Sequence, residues 1–184
     1  SGSSITVGVS SDVTAAMYYP STIDSTTIDV VWDKNAQKAL FTYATGATSY
    51  VVVGTVSGTS ITLGTPAEIN TPFKYYRYQS LTYDDVAQKI LWTYTKSSDF
   101  YLRGRVVTVS GTTATLGAEY VIASNYAYYA SAIYNPSSNV HVIAYENYDS
   151  APYPVSVIAA SISGTTITTG RSEEHTSELQ SQST

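Results

Sequence analysis

Polar and apolar positions alternate with period two on either side of a polar turn in residues 80–95. Leu81 and Tyr83 alternate with Ser80 and Thr82 on the way in, and Ile90, Trp92 and Tyr94 alternate with Leu91, Thr93 and Thr95 on the way out. Asp84, Asp85, Val86, Ala87, Gln88 and Lys89 lie between them. Such alternation, rich in aromatic and β-branched residues, predicts a hairpin of two strands with one buried face. The unit recurs. Val31-Trp32-Asp33 leads through Lys38 to Phe41-Thr42-Tyr43, and Ile133-Tyr134-Asn135 leads through Val140 to Ile143-Ala144-Tyr145. The turn acid or amide stands at 33, 84 and 135, a step of 51 each time.

A second marker runs alongside the first. Ser1-Gly2 returns as Ser57-Gly58, Ser110-Gly111 and Ser163-Gly164, each copy closing six residues later at Gly8, Gly64, Gly117 and Gly170. A Ser-Gly pair between β-branched runs predicts a tight hairpin turn, with Gly supplying the positive φ. Each period then holds four strands. In the middle period they are expected at about 77–83, 89–95, 101–109 and 112–116, followed by a longer connection through Glu119 to Asn125.

Four antiparallel strands per period of about 50 residues predict an all-β, β-propeller-like array of four-stranded antiparallel blades. Residues 1–21 read as the outer strand and connection of a preceding blade, and blades follow at 22–70, 71–123 and 124–170. About three blades make an incomplete ring, because closure takes ~4–8. A linear β-repeat is the alternative architecture. An open array would leave two apolar blade faces uncovered.

Composition sharpens this picture. The chain has 184 residues, of which 12% are charged, and it contains 18 tyrosines and no cysteine. Disulfides and thiolate chemistry are thereby excluded. A net charge of −5 argues against a nucleic-acid surface. No apolar run long enough for a membrane span is present, and none resembles a signal peptide. Residues 171–181, Arg171 to Ser181, match residue for residue the peptide encoded by a common short-read sequencing adapter. The tail 171–184 is therefore read as non-native and disordered, and the rest as a piece of a longer chain. His141 is then the one native histidine.

Candidate chemistry is sparse. Asp33 and Asp84 recur at every turn, and Asn135 replaces them, so they are expected to cap the turn backbone. The EF-hand alternation of acids is missing. Glu68 and Glu119 follow equivalent glycines, which suggests a repeated structural role. Glu146, in the irregular loop Glu146-Asn147-Tyr148-Asp149, is the best single acid. A propeller-type glycoside hydrolase or polysaccharide lyase would need a carboxylate pair or a tyrosine nucleophile. His141, alternating with Ile143, reads as a packed strand residue; neither a metal site nor a Ser-His-Asp set can be assembled around it. No cofactor is implied.

Aromatic residues offer the other route to function. Tyr18-Tyr19, Tyr75-Tyr76 and Tyr128-Tyr129 stand at the start of the inner strands. Such rings either stack on sugars or pack between blades. The loops between second and third strands vary most, and there Lys96, Asp99, Glu146, Tyr148 and Tyr153 are the candidate contacts.

Tyr83-Asp84 with Gln88-Lys89, and the segment Val53 to Pro66, resemble a tandem β-repeat family of marine tailed-phage virion and tail-associated structural proteins. The likeness spans most of residues 1–170, although Asn135 and Val140 depart from it. It implies a virion or extracellular setting, with other blades, virion proteins or a cell-surface polysaccharide as partners. Together these readings predict a non-enzymatic fragment that binds host-surface glycan or acts as a structural spacer.

Overall fold

The computed structural model describes residues 8, 28–45, 48–69, 76–96, 98–149 and 151–170. Among them are thirteen strands and no helix. A first meander comprises β1 (Asp29–Asp33), β2 (Lys38–Thr45), β3 (Thr48–Ser57) and β4 (Ser60–Leu63). After β5 (Ala67–Ile69) come β6 (Tyr76–Asp84), β7 (Lys89–Lys96), β8 (Tyr101–Ser110) and β9 (Thr113–Leu116). The last group is β10 (Tyr120–Asn135), β11 (Val140–Asn147), β12 (Val155–Ser163) and β13 (Thr166–Thr169).

The local chemistry explains these elements. Gly58, Gly111 and Gly164 take φ of 58°, 59° and 59° in the two-residue hairpin loops, the backbone that such turns demand. Asp33 Oδ1 accepts the N–H groups of Asn35 and Ala36 at 3.0 and 2.8 Å. Asp84 Oδ1 does the same for Val86 and Ala87 at 2.9 and 2.8 Å. Asn135 Oδ1 accepts from Ser137 at 3.0 Å. These are the side-chain caps expected of the turns.

The strands form two antiparallel sheets. One runs β1-β2-β3-β4, with β5 also on β3; the other runs β13-β12-β11-β10-β8-β7-β6, with β9 also on β8. The expected long connection from Glu119 to Asn125 is instead mostly strand. The first part of β10 pairs with β8, Tyr120 opposite Gly104 and Tyr126 opposite Tyr101. Its second part, from Ala127 opposite Asn147 to Asn135 opposite Val140, pairs with β11. The boundary set at residue 124 therefore falls inside one continuous strand. β5 repeats the first half of this arrangement, with Ala67 opposite Val51 and Ile69 opposite Ser49. The segment expected from 1 to 21 lies outside the described residues except for Gly8, and so does the tail.

Three four-stranded modules result, and they pack face to face. Leu40, Val51 and Val53 of the first meet Leu81, Tyr83, Ile90, Trp92, Tyr94 and Val107 of the second. On its opposite face the second presents Leu91, Leu102 and Val106 to Ile143, Ile158, Ala160 and Ile167 of the third. The single buried face expected for β7 is thus corrected: from Ile90 to Thr95 every residue is buried.

Polar links between modules repeat with the modules. Asp29 Oδ2 accepts the N–H of Leu81 at 2.6 Å, and Ser80 Oγ accepts the N–H of Ala132 at 3.1 Å. The Tyr83 hydroxyl accepts the N–H of Asn35 at 3.1 Å beside Asp33. The Tyr134 hydroxyl occupies the same place beside the N–H of Val86 and the carboxylate of Asp84. Finally, Gly64 and Gly117 approach the Ser-Gly-Thr turn of the following module. A Cβ at Gly64 would stand 2.2 Å from the Thr112 carbonyl oxygen, and one at Gly117 would stand 3.4 Å from that of Thr165.

Candidate binding site at the aromatic rim

One end of the modules carries the loops between second and third strands, and aromatic rings gather there. Two devices place them. The first is a register shift in the first strand of each of two modules, between Arg77 and Ser80 in β6 and between Tyr128 and Ser131 in β10. It holds Tyr78 at φ 47° and Tyr129 at φ 52°. The second is the loop that precedes the third strand, with Phe100 at φ 59° and Tyr153 at φ 56°. Bulky side chains seldom occupy this region, and the surrounding structure has to hold them there.

Hydrogen bonds from backbone N–H groups fix the Phe100 loop and the strand ends beside it. Phe100 N–H donates to the Lys96 carbonyl at 2.8 Å, and Ala127 N–H to the Phe100 carbonyl at 2.9 Å. Tyr148 N–H donates to the Tyr126 carbonyl at 2.8 Å, and Asp149 Oδ1 accepts from Tyr126 N–H at 3.0 Å. The rings then meet in series. Phe100 stacks on Tyr128 at 5.8 Å, Tyr128 meets Tyr148 at 4.9 Å, and Tyr148 stacks on Tyr153 at 4.1 Å with planes 6° apart. Tyr126, Tyr148 and Tyr153 remain 46%, 43% and 40% exposed.

Of the residues selected from sequence, Tyr128, Tyr129, Tyr148 and Tyr153 are brought together, with Glu146 opposite Tyr128 in the ladder. The Tyr148 hydroxyl is pushed above its usual value first by the neighbouring Tyr153, then by their hydrogen bond, and further by Glu146. At neutral pH it stays a hydrogen-bond donor. Tyr18, Tyr19 and Tyr75 lie outside the described residues, and Tyr76 opens β6 opposite Lys96. The repeat partner of Tyr129 is Tyr78, which periodicity did not single out. Tyr78 is buried, 4.7 Å from the ring of Tyr129 and 5.6 Å from that of Tyr128. Tyr126 and Phe100 were missed as well; their exposure depends on the loop, which periodicity does not report.

Lys96 and Asp99 belong to a different cluster. Glu119 pairs with Lys96 at 2.7 Å and with Arg103 at 2.9 Å, and it accepts the Tyr94 hydroxyl at 2.9 Å. Arg103 also pairs with Asp99. Burial would raise the Glu119 carboxyl, but hydrogen bonds from Lys96 and Tyr94 and the charges of Lys96 and Arg103 hold it below its usual range. Glu68 is exposed and stands opposite Tyr50, where β10 has Val121 opposite Arg103. The shared role expected for Glu68 and Glu119 is therefore not what the fold contains.

A second polar group lies between the second and third modules. Thr82 Oγ1 is 2.6 Å from His141 Nδ1, and His141 Nε2 is 3.3 Å from Asp84 Oδ2 without hydrogen-bond geometry. Burial lowers the His141 pKa, and Asp84 partly opposes this. The residue types are those of a hydroxyl-imidazole-carboxylate relay. However, His141 is 0% and Thr82 6% exposed, and Asp84 already caps its own turn. A groove of about 400 Å³ runs alongside, lined in part by Lys34, Tyr83, Asp85 and Tyr134. Its two charges, Lys34 and Asp85, pair with each other at 2.7 Å. Among the described residues no group of three or more His, Cys, Asp or Glu converges to hold a metal.

Comparison with protein-family models, curated proteins and solved structures finds no match.

Proposed function

We propose that the chain is a non-enzymatic array of propeller-like blades from a phage virion or tail protein, and that its aromatic rim binds host-surface glycan. The observation that carries the binding reading is the aromatic series in which Tyr126, Tyr148 and Tyr153 are exposed around the half-buried Tyr128, with Glu146 and Asp149 at its border. Aromatic faces stack on sugar C–H surfaces, and phenol and carboxylate oxygens meet hydroxyls. The blade reading is supported by face-to-face meanders whose inner strands β1, β6 and β10 lie side by side. The virion setting rests on the sequence resemblance.

Two features of the polar groups support the non-enzymatic part. A carboxyl held ionised by Lys96, Arg103 and Arg105, as in Glu119, is a poor proton donor near neutrality, and His141 and Thr82 are 0% and 6% exposed. A second reading, a structural spacer, is favoured by Tyr78, whose ring is spent on packing one module against the next. The test is to present the chain to an array of bacterial surface polysaccharides and to assay those polysaccharides for cleavage. Binding without turnover supports the proposal. Turnover would instead favour the glycoside hydrolase or polysaccharide lyase alternative, and neither binding nor turnover would favour the spacer.

A further inference from the structure

The residues that join successive modules recur on the third module, and among the described residues no further module meets them. The acceptor at Asp29 and Ser80 recurs as Ser131, which is exposed. The turn residue beside which a tyrosine hydroxyl sits, Asp33 and then Asp84, recurs as Asn135, also exposed. The glycine that admits the next turn, Gly64 and then Gly117, recurs as Gly170. The nearest atom to a Cβ added at Gly170 would be the Ala159 carbonyl oxygen of its own module, at 3.7 Å. Around these stands an apolar sheet face. Ile133, Val155 and Val157 are 67%, 72% and 49% exposed, and Val142 and Ala144 lie between them in the ladder.

We infer that this face is the docking surface for a fourth four-stranded module of the same repeat, joined to the chain through Gly170. The occupant must bring an inner-strand N–H to Ser131, a hydroxyl-bearing aromatic to Asn135 and a Ser-Gly-Thr turn to Gly170. It must also bring a branched apolar face. The second and third modules have each of these features.

Two observations favour a module in the same chain over a second copy. Gly170 N–H donates to the Ala159 carbonyl at 2.8 Å, as Gly64 does to Val53 at 2.7 Å and Gly117 to Val106 at 2.8 Å. Gly170 is therefore held at the end of the third module's fourth strand as Gly64 and Gly117 are held in the first two. A second copy would have to offer its first module, and the Thr59 turn there is already met by Gly8. A Cβ at Gly8 would stand 1.8 Å from the Thr59 carbonyl oxygen, so that place is filled. The inference does not depend on whether the rim binds sugar.

The absence of cysteine allows a direct test. Val157→Cys, with Val86→Cys as an exposed control, is labelled with a thiol reagent in the present chain and in one extended after Gly170 by a copy of 118–170. A second extension carries a copy of 65–116, so that one misfolded extension does not decide the matter. Labelling at 157 is expected to be fast in the present chain. With an added module it should slow by at least about tenfold, as for a site reached only through local opening. Labelling at 86 should be unchanged, and Gly170→Val should restore the fast rate in the extended chain. Equal rates at 157 in the present chain and in both extensions would overturn the inference. Slow labelling in the present chain that recovers on dilution would also overturn it, by placing a second copy on the face.

Discussion

Two residues show how burial and charge divide the polar work. Glu119 gathers Lys96, Arg103 and the Tyr94 hydroxyl at a half-buried position, where such bonds are screened less than on the surface. Glu119→Ala leaves these donors facing one another and is expected to cost about 1–3 kcal/mol, measured by denaturant unfolding at pH 7. Its folded pKa is depressed, so this stability is present above the unfolded value and is lost as pH falls through the folded one. His141 has the same sign in a higher window. Burial depresses its pKa from about 6.5, so the unfolded chain takes up the proton first and stability declines as pH falls below that value. The double variant Thr82→Val/His141→Ile places at this interface the side chains found at the equivalent positions Val31 and Ile90. It should abolish the decline between pH 7 and 5.5; an undiminished decline would assign the titration elsewhere.

At the scale of elements, the turns were the most legible part of the sequence. The Asp caps, the Ser-Gly hairpins and the strand limits of the middle module all follow from short-range chemistry. The expected 89–95 becomes Lys89–Lys96, and 101–109 becomes Tyr101–Ser110. Two things were not legible. Alternation marks two faces of a strand without saying that both are covered, and Thr93 and Thr95, polar by sequence, are fully buried between modules. The register shifts that displace Tyr78 and Tyr129 fall in the ladders with the next strands, β7 and β11, and the alternation of residues does not report them. The same limit hid the continuity of β10, since its first half is defined by β8 and its second by β11. The glycines after each fourth strand were visible as markers, but their reason is the neighbouring turn. Gly64→Ala is expected to destabilise by about 1–3 kcal/mol, as overpacking does, with the loss read from the denaturation midpoint. No loss would mean that the Thr112 turn does not press on Gly64.

On the scale of the whole molecule, the second module is held on both faces and the third on one. Stability in such stacks depends on neighbours, so rings that serve the stack and rings that serve a ligand respond differently to removal. Tyr78 is of the first kind, and its truncation should lower stability. The candidate site was legible only in part: Tyr148 and Tyr153 stood out because their loop varies, whereas Lys96 and Asp99 stood out equally and proved to be bound up with Glu119 and Arg103. The rim claim is tested most directly by Tyr148→Ala/Tyr153→Ala, with polysaccharide binding and thermal unfolding measured on the same preparation. The account predicts a loss of affinity of roughly tenfold or more, from about 0.5–1.5 kcal/mol per ring, with Tm lowered by no more than about 3 °C. Unchanged binding, or a loss of binding that appears only together with unfolding, would contradict it.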